Sequence, residues 1–419
     1  MMHIKRYPRT SLCDEKGMVL VVGLLMVAVL MLLGTTAMMT STTDLKISSN
    51  YKTGSQAFYI AEAGLERARG QLRADPDLSG STTSAQVVAF LSQRLTTSAG
   101  TNGTLSNSAT SANFYASGGF VTDDVPYVAA TSFGGGTYRV YLTNDAKTPD
   151  VVTSTTDTNR RVTLTSFGQG PNSSLAIVQQ VVERLVLPPL PGAIVLPGPN
   201  VNFQGGNSNA SGVEGGIESA VSLTSAASRD AVIANLTDIN RLDNYTCTTP
   251  PCINDDAATI DSTWTSVTAI ENLYNTLVPM ANVVVGTPAT TTTLTAAQVG
   301  TTSDRKVVVV NGNAVLGPVN GAGILIVTGQ LTLTGNFNYH GLIMCIGQGN
   351  LLRTGGGDGQ IDGAIFVANT RDGSNNLLAS LGTPTFNTAG GGNSDIVYDS
   401  SQLTMPPGAL FVKRSWRQL

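Results

Sequence analysis

Residues 18–43 contain no charged side chain, and this run limits what the chain can become more than any other feature. As a helix rising ~1.5 Å per residue it is ~39 Å long, enough to cross a ~30 Å hydrocarbon core. Lys5, Arg6, Arg9 and Lys16 precede it against Asp14 and Glu15, a bias that keeps that end cytoplasmic. The remainder is then outside. A conventional secretory signal would be cut after the apolar run, but Thr35-Thr36-Ala37 offers only a poor small-residue site. The helical pattern continues instead. Phe58, Ala61, Leu65, Ala68 and Leu72 recur at spacings of three and four, one apolar stripe, with Glu62, Glu66, Arg69 and Arg73 on other faces. Gly54, Gly64 and Gly70 each weaken such a helix by up to ~1 kcal/mol relative to Ala. Asp75-Pro76 ends it. One long helix starts in the membrane and leans its outer half on a soluble domain.

The chain as a whole is poor in charge: 12% of residues are charged, about half the roughly 25% of an average globular chain. Gly is abundant, at 45 residues, and a neutral, glycine-rich surface favours turn-dense β structure. The net charge of -4, without a basic cluster, argues against nucleic acid as a partner. Cys247 and Cys252 bracket CTTPPC in a polar loop and read as a small disulfide, adding ~2 kcal/mol by the chain-entropy model. A metal pair is not expected there, because the two histidines, His3 and His340, lie far away in sequence. Cys345, in the apolar strand LIMCI, reads as a buried thiol.

After a helical stretch at 85–95, strands are predicted at 138–145, 161–168 and 175–187, an antiparallel meander with one face free for the helix. LPPLPG marks a linker, placed at 188–192. Beyond it one phrase repeats: a short apolar strand, a glycine corner, a second short strand. Successive phrases start at Val307, Ile324, Leu342 and Ala364, 17, 18 and 22 residues apart, the length of one β-solenoid coil. Leu331 and Leu333 should point inward, with Val201 and Phe203 in the matching places of an earlier phrase at 193–206. Residues 207–304 interrupt the repeat and read as an insertion leaving one coil. A β-sandwich with glycine-rich turns is the competing architecture.

Sites for chemistry are weak. The acidic GGGDGQIDG stretch (355–363) departs from the calcium-binding nonapeptide spacing, so Asp358 and Asp362 read as turn and corner residues. Asp123-Asp124 and Asp255-Asp256 read as solvated turns. No carboxylate pair recurs on one predicted face as glycan cleavage would need. Trp264 and Trp416 read as packing residues. No catalytic residue, metal or cofactor is expected.

The stretch EKGMVLVVGLLMVAVLMLLG (15–34), joined to GSQAFYIAEAGLERARGQL (54–72), resembles the N-terminal domain of PilX-type minor pilins of type IV pili. Gln56, Ala57, Phe58, Ala61, Glu62, Ala63 and Leu65 carry the resemblance, which covers roughly residues 14–73. It implies a leader of residues 1–17 that prepilin peptidase cuts on the cytoplasmic face between Gly17 and Met18, after Lys16, with methylation of the new amino terminus. It also implies that the helix ends in the core of a pilus-like filament among other minor and major pilins. Major pilins carry a glutamate at the fifth mature position, where it pairs with a neighbour's terminal amine; here that position is Val22. A subunit with nothing above it has no amine to meet, so Val22 fits a priming or tip position.

The sequence thus predicts an α+β chain. Its parts are a leader (1–17), an anchor and filament helix (18–74), a pilin-like β domain (75–187), the linker, and a solenoid-like module (193–419) with the 207–304 insertion. The expected protein is not an enzyme. It waits in the inner membrane with its N-terminus cytoplasmic and then stands at a filament tip, where the module serves adhesion or docks a large tip adhesin. Two rivals remain: the capping pseudopilin of type II secretion, and an anchored β-helix protein that binds or cleaves carbohydrate.

Overall fold

The protein is described by a computed structural model over residues 15–80, 83–95, 125–152, 154–288, 290–390, 392–405 and 411–419. The first fourteen residues of the expected leader, Cys13 and the Asp123-Asp124 pair lie outside these residues.

A 60-residue helix, α1 (Glu15–Ala74), opens the chain. Ala57, Ile60, Ala61, Leu65, Ala68 and Leu72 are at most 3% exposed, so the buried stripe occupies its second half. Asp75 ends the helix, and its Oδ1 accepts from the N–H of Asp77 and of Leu78 at the start of α2 (Pro76–Gly80). α3 (Ser84–Arg94) begins with a reciprocal cap between Thr83 and Gln86 and buries Val87 and Leu91. Arg94 ties the three helices together through Asp75 and Asp77, 2.7 Å from each.

Four antiparallel strands follow: β1 (Val128–Phe133), β2 (Gly136–Asn144), β3 (Arg161–Gln169) and β4 (Leu175–Arg184). α1 lies across β2, β3 and β4. The fifth strand of this sheet comes from the other end of the chain: Phe411–Gln418 pairs antiparallel with β4. This corrects the expected module of 193–419, whose last strand belongs to the helix-bearing sheet. The physical reason is the free edge of β4, which a distant strand closes. Glu183 of β4 takes Arg414 at 2.8 Å and Arg161 at 2.6 Å, and α1's Glu66 takes Lys413 at 3.3 Å. The long module is therefore inserted between two neighbouring strands of the helix-bearing sheet.

The module contains β5 (Gly192–Leu196), β6 (Asn202–Gln204), β7 (Val213–Glu214), β8 (Ser219–Leu223), β9 (Tyr245–Thr246) and β10 (Ile253–Asp255). Then come β11 (Val283–Val285) and β12 (Thr291–Leu294), β13 (Lys306–Val310) and β14 (Asn313–Leu316), and β15 (Asn320–Val327) and β16 (Gln330–Thr334). β17 (Phe337–Cys345) and β18 (Asn350–Thr354), β19 (Asp358–Val367) and β20 (Thr385–Gly390), and β21 (Asn393–Tyr398) complete it; the C-terminal strand is β22 (Phe411–Gln418). Each pair from β11–β12 to β19–β20 is one coil, its first strand in one parallel sheet and its second in another.

Two details differ from the sequence reading. The earliest phrase does not precede the others in space: β5 pairs with β19 and β6 with β20, after the last coil. Residues 207–304 are also not an excursion from one coil, since they supply β8 and β10 at one end of the stack and β11 and β12 at the other. A run of apolar residues joins them all, Val308–Leu325–Ile343–Ile365–Ile194–Val221–Ile253, in register across seven strands. Leu331 and Leu333 point inward, and Phe203 stacks on Phe386 at 5.5 Å.

The long strands bend at Gly323, Gly341 and Gly363, where φ is 120°, 147° and 142°. A Cβ there would sit 2.0–2.1 Å from the carbonyl oxygen of the preceding rung. Only glycine can occupy this corner. Below it the strands β13, β15, β17 and β19 are continuous apolar runs because both faces are covered. Inside lies the solenoid core; outside lie Trp264 and the helix Val267–Leu277.

Candidate functional site

The first half of α1 is a bare apolar rod. Its large apolar side chains from Met18 to Ile47 are 48% to 73% exposed, and Val22 is among them at 61%. The hydroxyls of Thr35, Thr36, Thr40, Thr42 and Thr43 donate to carbonyls three or four residues back, at 2.8–3.0 Å. Each thus satisfies itself within the helix, which permits an apolar environment on every side. The segment is long and apolar enough to cross a membrane. Lys16, Gly17 and Met18 all belong to this helix, and the Met18 side chain is 71% exposed.

The second half owes its position to small residues. A Cβ on Gly168 of β3 would lie 2.3 Å from the Ala57 carbonyl oxygen and 2.4 Å from the Ala61 nitrogen. The QAFYIAEAGLE phrase therefore places helix backbone directly on strand backbone, and Leu65 further along is buried at 3% exposure. Phe58 is half-buried and meets Trp416 of β22 edge-on at 6.0 Å. Glu62 is partly exposed and makes no ion pair among the described residues. Arg69, which lies off the apolar stripe, is only 6% exposed, its guanidinium folded back to Glu66. Burial raises the Glu66 carboxyl, but Arg69 and Lys413 outweigh it and hold the group below its ordinary value. Burial is likewise overcome at Glu183 by Arg414 and Arg161.

The remaining candidates are structural. Cys247 and Cys252 are bonded, with Cα atoms 5.3 Å apart. Cys345 is fully buried, and burial pushes its thiol up. Trp264 is fully buried and its Nε1 donates to the carbonyls of Pro188 and Pro189, while Trp416 is 49% exposed. Asp358 and Asp362 are strand residues of β19 rather than turn and corner; Asp362 lies 3.0 Å from His340. No group of three or more His, Cys, Asp or Glu side chains is placed to hold a metal among the described residues. A polar cleft of about 460 Å³ beside the cystine loop contains Glu218 and Asp256, and burial plus Asp256 raises the Glu218 carboxyl.

One cluster escaped the sequence reading. Asp145, Asp150 and Asp157, in the loop between β2 and β3, are at most 5% exposed. Asp150 accepts from the Thr158 N–H and hydroxyl, and Asp157 from the N–H groups of Arg160 and Arg161. Burial raises Asp157 to about 6. Polar loop sequences rarely announce which carboxylates turn inward.

Residues 16–66 match the model of the family described as PilX N-terminal. No curated protein matches the chain significantly. Among solved structures, the competence-associated pilin ComZ from Thermus thermophilus aligns over 88% of this chain and 97% of its own, at 13% identity and a TM-score of 0.20.

Proposed function

We propose that this PilX-like type IV pilin primes or caps its filament, entering it by α1 and carrying the solenoid outward as a terminal module. The observation that carries the reading is Val22, which lies on a helix half with no charged group between Met18 and Thr43. In a pilin shaft the fifth mature residue is a carboxylate that neutralises the amine of the next subunit. An unpaired carboxylate in that apolar setting costs several kcal/mol, and a terminal subunit has no amine to pair it. Val22 avoids the cost. Bulk supports the same position, since residues 185–410 sit between two adjacent strands of the pilin-like sheet and would crowd a thin shaft if repeated along it.

In this reading prepilin peptidase cuts after Gly17, the amino group of Met18 is methylated, and the helix rests in the inner membrane until assembly. It then exchanges lipid for the helices of other pilins at little net cost, since both surroundings are apolar. Adhesion or docking of a larger tip protein falls to the solenoid, and no catalytic role is assigned to the chain. Loss of surface fibres on deletion separates this role from the capping pseudopilin of type II secretion, whose deletion stops enzyme export.

The decisive chemical test is the mass of the mature amino-terminal peptide. A peptide starting at N-methylated Met18 is expected; one starting after Ala37, or an intact leader, overturns the reading. Gly17→Trp should leave unprocessed protein in the membrane and abolish its incorporation.

A further inference from the structure

The two ends of the solenoid are finished differently. At one end, β8 and β10 bury Ala220, Val221, Leu223 and Ile253 to 4% exposure or less. They lie beneath the helix Ala226–Asp238, whose Val232 and Leu236 are fully buried. At the other end nothing among the described residues stacks on β11 and β12, each of which has a single neighbour in its sheet.

The contrast is quantitative. In the second coil Val308, Val310 and Ala314 are fully buried; their partners one rung outward, Val283, Val285 and Thr292, are each partly exposed. Leu294, opposite Leu316, is closed at 2% exposure, so the last coil is open at Val283, Val285 and Thr292, as though part of one further rung were missing. The backbone is open too. The Val285 carbonyl accepts from Asn311 N–H at 2.8 Å and so faces β13. By the alternation of a strand, the N–H and C=O of Val284 face away from the sheet, and its side chain is 50% exposed. Soluble proteins commonly blunt such edges with charged side chains, lysine above all. Here residues 272–303 carry no charged side chain.

We infer that the β11–β12 end receives an extended, uncharged segment of another protein, added to the solenoid as a further rung. Backbone hydrogen bonds to Val284 supply the affinity, and aliphatic side chains at alternate positions cover Val283 and Val285. The partner is a strand rather than a globular surface, because what the end leaves unsatisfied is one rung of backbone and one layer of core. A charged segment is excluded by the neutral, partly apolar surroundings. This inference does not depend on where the protein sits in a filament.

The test uses the full chain in detergent and a peptide of sequence VVVVNGNAVL, blocked at both ends and labelled with an uncharged fluorophore. It copies residues 307–316, the rung that β11 and β12 already recognise on their inner side. Saturable binding to the wild-type chain is expected, weakened at least roughly tenfold by Val284→Lys, which places a charge on the edge, and by Val284→Pro, which removes the outward N–H. Ile217→Lys, at a side chain 82% exposed elsewhere, should leave binding unchanged. Unaltered melting of the Val284 variants establishes that they fold. Absence of binding to the wild-type chain, or equal binding by both Val284 variants, overturns the inference. So does a wild-type dimer that Val284→Lys dissolves, because the end is then occupied by a second copy.

Discussion

Val22 carries the functional argument and Asp157 a stability argument, and the two positions differ in how visible they are. Val22 is legible in the sequence because its meaning depends only on distance from Gly17. If its lack of charge keeps the subunit at the end of the assembly, Val22→Glu supplies the missing carboxylate and lets another subunit follow. Quantitative mass spectrometry of sheared fibres should then find more copies per filament; an unchanged copy number counts against the role given to Val22. Asp157 is illegible in the sequence, because only the folded loop buries it. Its carboxyl titrates at about 6 in the folded chain against an ordinary 3.8, so between these values the folded state holds a proton that the unfolded state releases. Stability from this group is therefore greatest on the acid side and falls as pH rises from about 4 to about 6, by at most ~3 kcal/mol at ~1.36 kcal/mol per unit. Asp157→Asn should flatten that part of the melting-temperature profile; an identical slope in the variant would contradict the assignment.

At the scale of elements, α1 was readable almost in full, since an uncharged run followed by a three–four stripe has few other meanings. Its exact seat was not. The stripe Phe58, Ala61, Leu65, Ala68, Leu72 predicts a contact, but the helix settles on β3 through Ala57, Ala61 and Gly168, where backbone meets backbone. Ala61→Leu should therefore cost about 1–3 kcal/mol by overpacking. Leu65→Ala should cost about 2–5 kcal/mol through the cavity it leaves. Val29→Ala, on the bare half, should leave the melting of the soluble domain unchanged; calorimetry of the three variants checks the ranking. The coils were visible as a repeated phrase, because each rung must offer the same inward residues and the same glycine corner. Which rungs touch was not visible. Nothing local in AIVLPGPNVNFQ tells that β5 will lie beside β19.

For the whole molecule, the path of the chain is the main thing the sequence concealed. The chain leaves the pilin-like sheet after β4, builds one end of the solenoid, crosses to the other, climbs back, and returns through β22 to the edge it left. Long-range pairing of this kind is fixed by which edges remain open rather than by any local signal. It makes the C-terminal strand part of the helix-bearing domain. Removal of residues 411–419 should destabilise the packing of α1 more than it disturbs the solenoid, which hydrogen exchange resolved by segment can read. The same path makes the module an outgrowth between two adjacent strands of that sheet, which the proposed terminal position would accommodate. The most direct measurement of the central claim is the position of the solenoid in native filaments, by gold labelling of an epitope inserted beside Ile217. Gold confined to one end of each fibre is the result predicted; gold distributed along the shaft, or absent from fibres, would contradict it.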